Sequence, residues 1–75
     1  MIRQKIDKIM SYKTYTDEDK IDRLLEINAE IYTNIGTDTS KSEIQQAESD
    51  SKYIYRNIQK LDDRLGRLLL RDART

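Results

Sequence analysis

Seventy-five residues carrying fourteen bases, fourteen acids and no Cys, His or Trp allow a single domain, and they lack the usual metal ligands, thiol nucleophiles and commonest general base. Charged residues make up 37% and apolar residues 36%, a balance that gives a disordered chain when the apolar groups are scattered. Here they recur at helical spacing, with two Gly and no Pro to interrupt them, so the expected class is all-α.

The first segment, residues 2–12, places Ile2, Ile6, Ile9 and Met10 at helical intervals among Arg3, Lys5 and Lys8. It holds no apolar run long enough for a signal peptide or a membrane span. Lys13 to Thr16 reads as a break, because β-branched and aromatic residues favour helix less. Thr16 then stands as an N-cap before Asp17, Glu18 and Asp19, whose charges suit a helix N-terminus. A second helix follows over 17–35, with Ile21, Leu24, Asn28, Ile31 and Ile35 in heptad spacing, and Gly36 as its expected stop.

Residues 36–40 form the clearest loop, dense in small polar side chains that bond their own backbone. One of Thr39, Ser40 and Ser42 caps the next helix, and Ser40 and Glu43 have capping-box spacing. The third helix is expected over 41–71, because Ile44, Ala47, Ser51, Ile54, Ile58, Leu61, Leu65 and Leu68 continue the three-four alternation without a gap. Gly66 lies inside it, either as a tolerated glycine costing about 1 kcal/mol or as a hinge or close helix contact.

Folding the chain at Asp38 pairs positions whose numbers sum to 78 or 79: Ile35 with Ile44, Ile31 with Ala47, Asn28 with Ser51, Leu24 with Ile54, Ile21 with Ile58. The expected architecture is therefore an antiparallel helical hairpin, a coiled coil with a short N-terminal helix. Its Asn28–Ser51 layer sacrifices stability to fix register or oligomer state. The half of the long helix that this pairing leaves over, with Leu61, Leu65, Leu68 and Leu69, is expected to be covered by the first helix, stacked end to end with the second. Tyr32, Tyr55, Leu25 and Leu69 widen the stripe beyond two positions per heptad, which calls for an oligomer or docking in a larger assembly.

The charges are segregated. Residues 1–13 carry plus three, 14–51 minus seven and 52–75 plus four, so the hairpin is expected to have a basic end at its termini and an acidic loop end. Lys52, Arg56, Lys60, Arg64, Arg67, Arg71 and Arg74 follow spacings of four and three as a basic ridge. The ridge is either a solvated flank paired with the acidic helix or a surface for phosphate or an acidic partner.

Nothing in the chain assembles an active site. Gly36 and Gly66 stand apart and form no phosphate loop. Asp62 and Asp63 diverge on a helix, and the 38–43 loop lacks the acidic spacing and internal glycine of a calcium loop. No catalytic residue, metal ligand or cofactor is expected. The expected function is a non-enzymatic structural or assembly protein acting by helix packing, a role that includes a small phage particle component. Its interaction seam would be Ile21, Leu24, Asn28, Ile31, Ile35, Ile44, Ile54, Ile58, Leu61, Leu65 and Leu68. Its partner would be a protein, itself or a larger complex. The alternative is a small regulatory protein that binds nucleic acid or an acidic protein through the ridge Arg56, Lys60, Arg64, Arg67, Arg71 and Arg74. Nucleic acid is the weaker of those partners, since net charge is zero. A third reading, attachment of Leu65–Arg74 to a membrane surface, is opposed by Asp62 and Asp72. The expected location is the cytoplasm, or a virus particle.

Overall fold

The computed structural model describes residues 2–36 and 39–72, which form four helices: α1 (Ile2–Ser11), α2 (Asp17–Thr33), α3 (Lys41–Leu61) and α4 (Asp63–Asp72). Thr16 caps α2 as its sequence suggests. The Asp19 amide donates to Thr16 Oγ1 at 3.1 Å and the Thr16 amide donates back to Asp19 Oδ2 at 3.2 Å, so two otherwise orphaned donors are satisfied reciprocally. Ser40 caps α3 by accepting from the Glu43 amide at 3.2 Å. The end of α2 differs from expectation. The helix stops at Thr33 with Asn34 as its cap, and Gly36 does not adopt a positive φ; its amide bonds Thr39 Oγ1 instead, at 2.7 Å. The expected fold tip, Asp38, lies outside the described residues.

α2 and α3 run antiparallel in the expected register. Ser51 Oγ donates to Asn28 Oδ1 at 2.6 Å, and Asn28 Nδ2 donates to Tyr55 Oη at 3.0 Å. The polar layer is thus a three-residue chain that includes a tyrosine, and Ser51, only 2% exposed, has its hydroxyl satisfied within it. A buried hydroxyl without such a partner would cost about 1–3 kcal/mol. Around the layer Leu24, Ile31, Ala47, Ile54 and Ile58 are buried, joined by Ile6 from α1.

The expected long helix over 41–71 is not continuous. Such a helix would measure about 46 Å at 1.5 Å per residue, longer than the whole molecule, whose greatest extent is 39 Å. The chain leaves helical geometry at Asp62 (φ −146°, ψ 97°) and doubles back. Asp62 serves both helices: its amide closes α3 on the Ile58 carbonyl at 2.7 Å, and its side chain accepts from the Leu65 amide at 3.1 Å as the N-cap of α4. One aspartate therefore satisfies orphaned groups at both ends of the break.

Gly66 explains how closely α4 returns. A Cβ at this position would lie 2.3 Å from Gln59 Cα, so the two backbones meet at a separation that only glycine permits. Of the readings of Gly66, the close helix contact is the one found.

The expected place of the first helix is also corrected. α1 does not extend α2, and no Cα of it lies within 8 Å of a Cα of α4, which carries Leu65 and Leu68; the Tyr12–Thr16 link reverses the chain and lays α1 antiparallel to α2, against the middle of α3 at Ser49, Asp50 and Tyr53. Lys20 Nζ donates to the Met10 carbonyl at 3.0 Å and holds the reversal, while Tyr12 and Tyr15 pack edge to face at 4.9 Å. Farther along, Arg3 donates to Ser49 Oγ at 2.9 Å and pairs with Asp50 at 3.4 Å. Its guanidinium also stacks over the Tyr53 ring, 4.8 Å from the centroid, and the Tyr53 hydroxyl bonds Asp7. The basic first segment consequently lies along α3 beside Ser49 and Asp50. The bipolar rod expected from the charge blocks, with both basic segments at one end, does not form.

Candidate interaction surface

The α2–α3 hairpin has two long sides, and its flanking helices treat them differently. On the first, α1 fills the angle between α2 and α3 with Ile6, which is fully buried. On the second, α4 packs against α3, and no Cα of α4 lies within 8 Å of a Cα of α2. Between α2 and α4 an open groove of about 400 Å³ remains, lined by Tyr32, Glu48, Ser51, Lys52, Tyr55, Leu69 and Asp72. Tyr55 forms its floor because Asn28 holds the phenol oxygen, and Leu65 and Leu69 lean on the core from the α4 side.

Of the four large apolar side chains exposed among the described residues, Leu25, Tyr32 and Leu68 lie beside this groove and Ile44 does not. Leu25 is 36% exposed and Tyr32, two turns later on the same face of α2, is 47% exposed. Across the groove, Leu68 is 51% exposed and sits one turn before Asp72 on the stripe that lines the groove. The residues expected to widen the seam are thus the ones brought together here. Part of the cover they require comes from α4 itself, through Leu69 against Tyr55; the remainder is open.

The expected seam divides accordingly. Leu24, Ile31, Ile54 and Ile58 are buried core, Asn28 is half-buried in the polar layer, and Ile21, Ile35, Leu61 and Leu65 are partly buried against the core. Ile44 and Leu68 face solvent. The expected ridge is no single stripe, because the break at Asp62 puts Arg56 and Lys60 on α3 and Arg64, Arg67 and Arg71 on α4. All five are exposed, Arg67 pairs with Asp63 at 3.0 Å, and Arg74 lies outside the described residues.

Two features were not anticipated from sequence. The Arg3–Tyr53–Asp7 cluster joins residues 46 positions apart, and no local pattern announces it. The hydrogen bond from Tyr53 to the Asp7 carboxylate, helped by partial desolvation and the Asp7 charge, holds the phenol above the ordinary tyrosine pKa. Asp62 is different, since its signal is present: an Asp followed by an acidic first-turn residue and a backbone donor three positions on is an N-cap signature, obscured by a heptad that runs on in phase.

Among the described residues no three Asp or Glu side chains gather as a metal site would require, and no helix is long and apolar enough to cross a membrane. Compared with known proteins, the chain matches no family model, no curated protein and no solved structure.

Proposed function

We propose that this protein works by helix packing and not by catalysis, as a structural or assembly subunit whose coiled-coil hairpin presents the α2–α4 face to a protein partner. The observation that carries this reading is the open groove. Leu25, Tyr32 and Leu68 stay exposed beside it while, among the described residues, the buried core amounts to six apolar side chains. A core of this size rarely supplies more than about 3–5 kcal/mol by itself, and covering these exposed apolar side chains adds burial that the chain alone does not achieve. The ridge-based alternative, binding of nucleic acid or an acidic protein, has less behind it: the bases divide between two helices, and Arg67 is already paired within α4.

The test is photo-crosslinking in the source cell, with a photoreactive residue at position 25 or 68 and, as control, at the exposed Gln45 of α3. Protein crosslinks specific to 25 and 68 support the reading. Equal labelling at all three positions, or no protein adduct at 25 and 68, contradicts it.

A further inference from the structure

The backbone of α4 has one connection and one neighbour. Asp62 alone separates it from α3, and no Cα of α4 lies within 8 Å of a Cα of α1 or α2. The corner keeps the bonding of an unbroken helix on both sides, since the Asp62 amide bonds the Ile58 carbonyl at 2.7 Å and the Gly66 amide bonds the Asp62 carbonyl at 3.0 Å, each four residues back. Turning the Asp62 backbone from φ −146°, ψ 97° into the α region would join α3 and α4 as one helix. The amides of residues 63–65 then bond carbonyls four residues back, in place of the Asp62 side chain that caps α4 at the Leu65 amide.

The faces that α3 and α4 turn toward each other fall on one stripe of that joined helix. Glu48, Lys52 and Tyr55 of α3 line the groove with Leu69 of α4, and Gln59 meets Gly66. Along an unbroken helix, positions 48, 52, 55, 59, 62, 66 and 69 alternate spacings of four and three and so share one face. A hairpin does not require this, because its two arms can meet through any pair of stripes. Two straight helices packed on each other do. The meeting positions also balance about the corner: Gln59 with Gly66 and Tyr55 with Leu69 have numbers that sum to 125 and 124, so their midpoint is residue 62. Two straightened chains laid antiparallel, with their Asp62 residues side by side, therefore recover each of these contacts between copies about a two-fold axis. The heptad that runs through the corner in phase, Ile54, Ile58, Leu61, Leu65 and Leu68, is the pattern of such a helix.

We infer that two copies of the chain exchange α4: each straightens at Asp62, residues 41–72 form one helix, and α4 of one copy packs on α3 of the other. The partner is a second copy because the surface that receives α4 is α3 of this chain, and exchange recreates it unchanged. Swapping through a short connection is a low-cost route to a dimer, since it reuses an interface that the monomer already has. The dimer is a pair of antiparallel helices of about 48 Å each at 1.5 Å per residue, with an α1–α2 pair beside each α3. The α2–α4 groove is rebuilt at either end, with α4 supplied by the partner.

The exchange is independent of what fills that groove, so crosslinks from positions 25 and 68 test the assembly reading separately. The experiment uses the full chain, equilibrated at concentrations up to millimolar, with mass measured by sedimentation equilibrium and helicity by circular dichroism. Wild type should move from 8.9 kDa toward twice that mass. Asp62→Ala removes a cap that only the closed corner uses, once in each chain, and should tighten the dimer by about tenfold or more. Three glycines inserted after Asp62 let α4 fold back while breaking the joined helix, and should leave a closed monomer. Spin labels at Glu48→Cys and Asp72→Cys, on a trace of chain within an excess of unlabelled chain, read the distance inside one copy. In the dimer it should be about 36 Å, that of an unbroken helix. Copies labelled singly, one at Glu48→Cys and the other at Asp72→Cys, should give the short distance between chains when mixed.

A wild-type chain that stays monomeric at every concentration overturns the inference. So does a dimer whose internal distance between positions 48 and 72 stays short, because such a dimer forms through another face. A dimer that the glycine insertion leaves at wild-type affinity overturns it as well. In each of these cases protein crosslinks at positions 25 and 68 would leave the assembly reading standing.

Discussion

The two flanks of the hairpin contrast in how a short helix is attached. α1 inserts a fully buried isoleucine between α2 and α3 and adds polar ties through Arg3, Asp7 and Lys20. α4 brings its backbone close to α3 alone, through a glycine that lets the two meet, and keeps Leu68 half-exposed. The same kind of element, ten residues long in each case, thus closes one side of the molecule and leaves the other open. A helix wedged into the angle of a hairpin completes the core; a helix laid back along one arm creates a groove.

The largest expected effect lies on the closed side. Ile6→Ala removes a buried side chain in contact with both arms of the hairpin and should cost about 2–5 kcal/mol, comparable with the whole stability of a core this small. Thermal or urea unfolding should show the loss across the whole chain, because α1, α2 and α3 share that core. On the open side, Gly66→Ala should cost about 1–3 kcal/mol by overpacking, since Gln59 Cα cannot move aside as a flexible side chain would. Amide hydrogen exchange should place that loss in α4, with protection in α1, α2 and the N-terminal half of α3 near wild type. A uniform loss of protection would show that the two flanks are energetically one unit.

Smaller effects sharpen the contrast. Ser51→Ala leaves Asn28 Oδ1 without its donor in a half-buried layer and should cost about 1–2 kcal/mol, within the range for orphaned polar groups; equilibrium denaturation of the variant measures it. Asp62→Ala removes the N-cap of α4 and should cost about 1 kcal/mol, with helicity rising if α3 and α4 begin to join.

The smallest effect is the pH dependence of the Tyr53 contact. Its folded pKa is raised, chiefly by donation to Asp7, so the protonated phenol favours the folded state. That contribution is complete below the ordinary tyrosine pKa of about 10 and is lost as pH rises through the higher folded value. The difference in melting temperature between wild type and Tyr53→Phe should therefore shrink at strongly alkaline pH. A difference constant across that range would mean the hydrogen bond contributes nothing.

Much of the hairpin was legible because its determinants are local or simply periodic. Thr16 and Ser40 announce their helices by cap chemistry, and the Asn28–Ser51 pairing follows from matching two heptads about a loop. The positions of α1 and α4 were not legible, for different reasons. The five residues from Tyr12 to Thr16 can extend a helix pair or reverse it, and the choice is made by Ile6 and by contacts from Arg3 and Asp7 to residues more than forty positions away. At Asp62 the heptad conceals the break, because a one-residue corner leaves Leu61, Leu65 and Leu68 in phase although the helix axis has turned back. The aspartate cap and Gly66 together were the readable sign. The surface followed the same division: Leu25, Tyr32 and Leu69 were recognisable as surplus to one seam, but which helix they would face depended on that corner.

The open face exists only if the chain reverses at Asp62, and a distance between α3 and α4 tests this most directly. The chain has no cysteine, so spin labels attached through Glu48→Cys and Asp72→Cys report one pair of positions, both of which line the groove. In a continuous helix their backbones would stand about 36 Å apart at 1.5 Å per residue. The reversed chain should give a single distance distribution centred well below half that value, in dilute samples where labels on different chains do not contribute. A distribution centred near the full helical length would contradict the corner and the groove together.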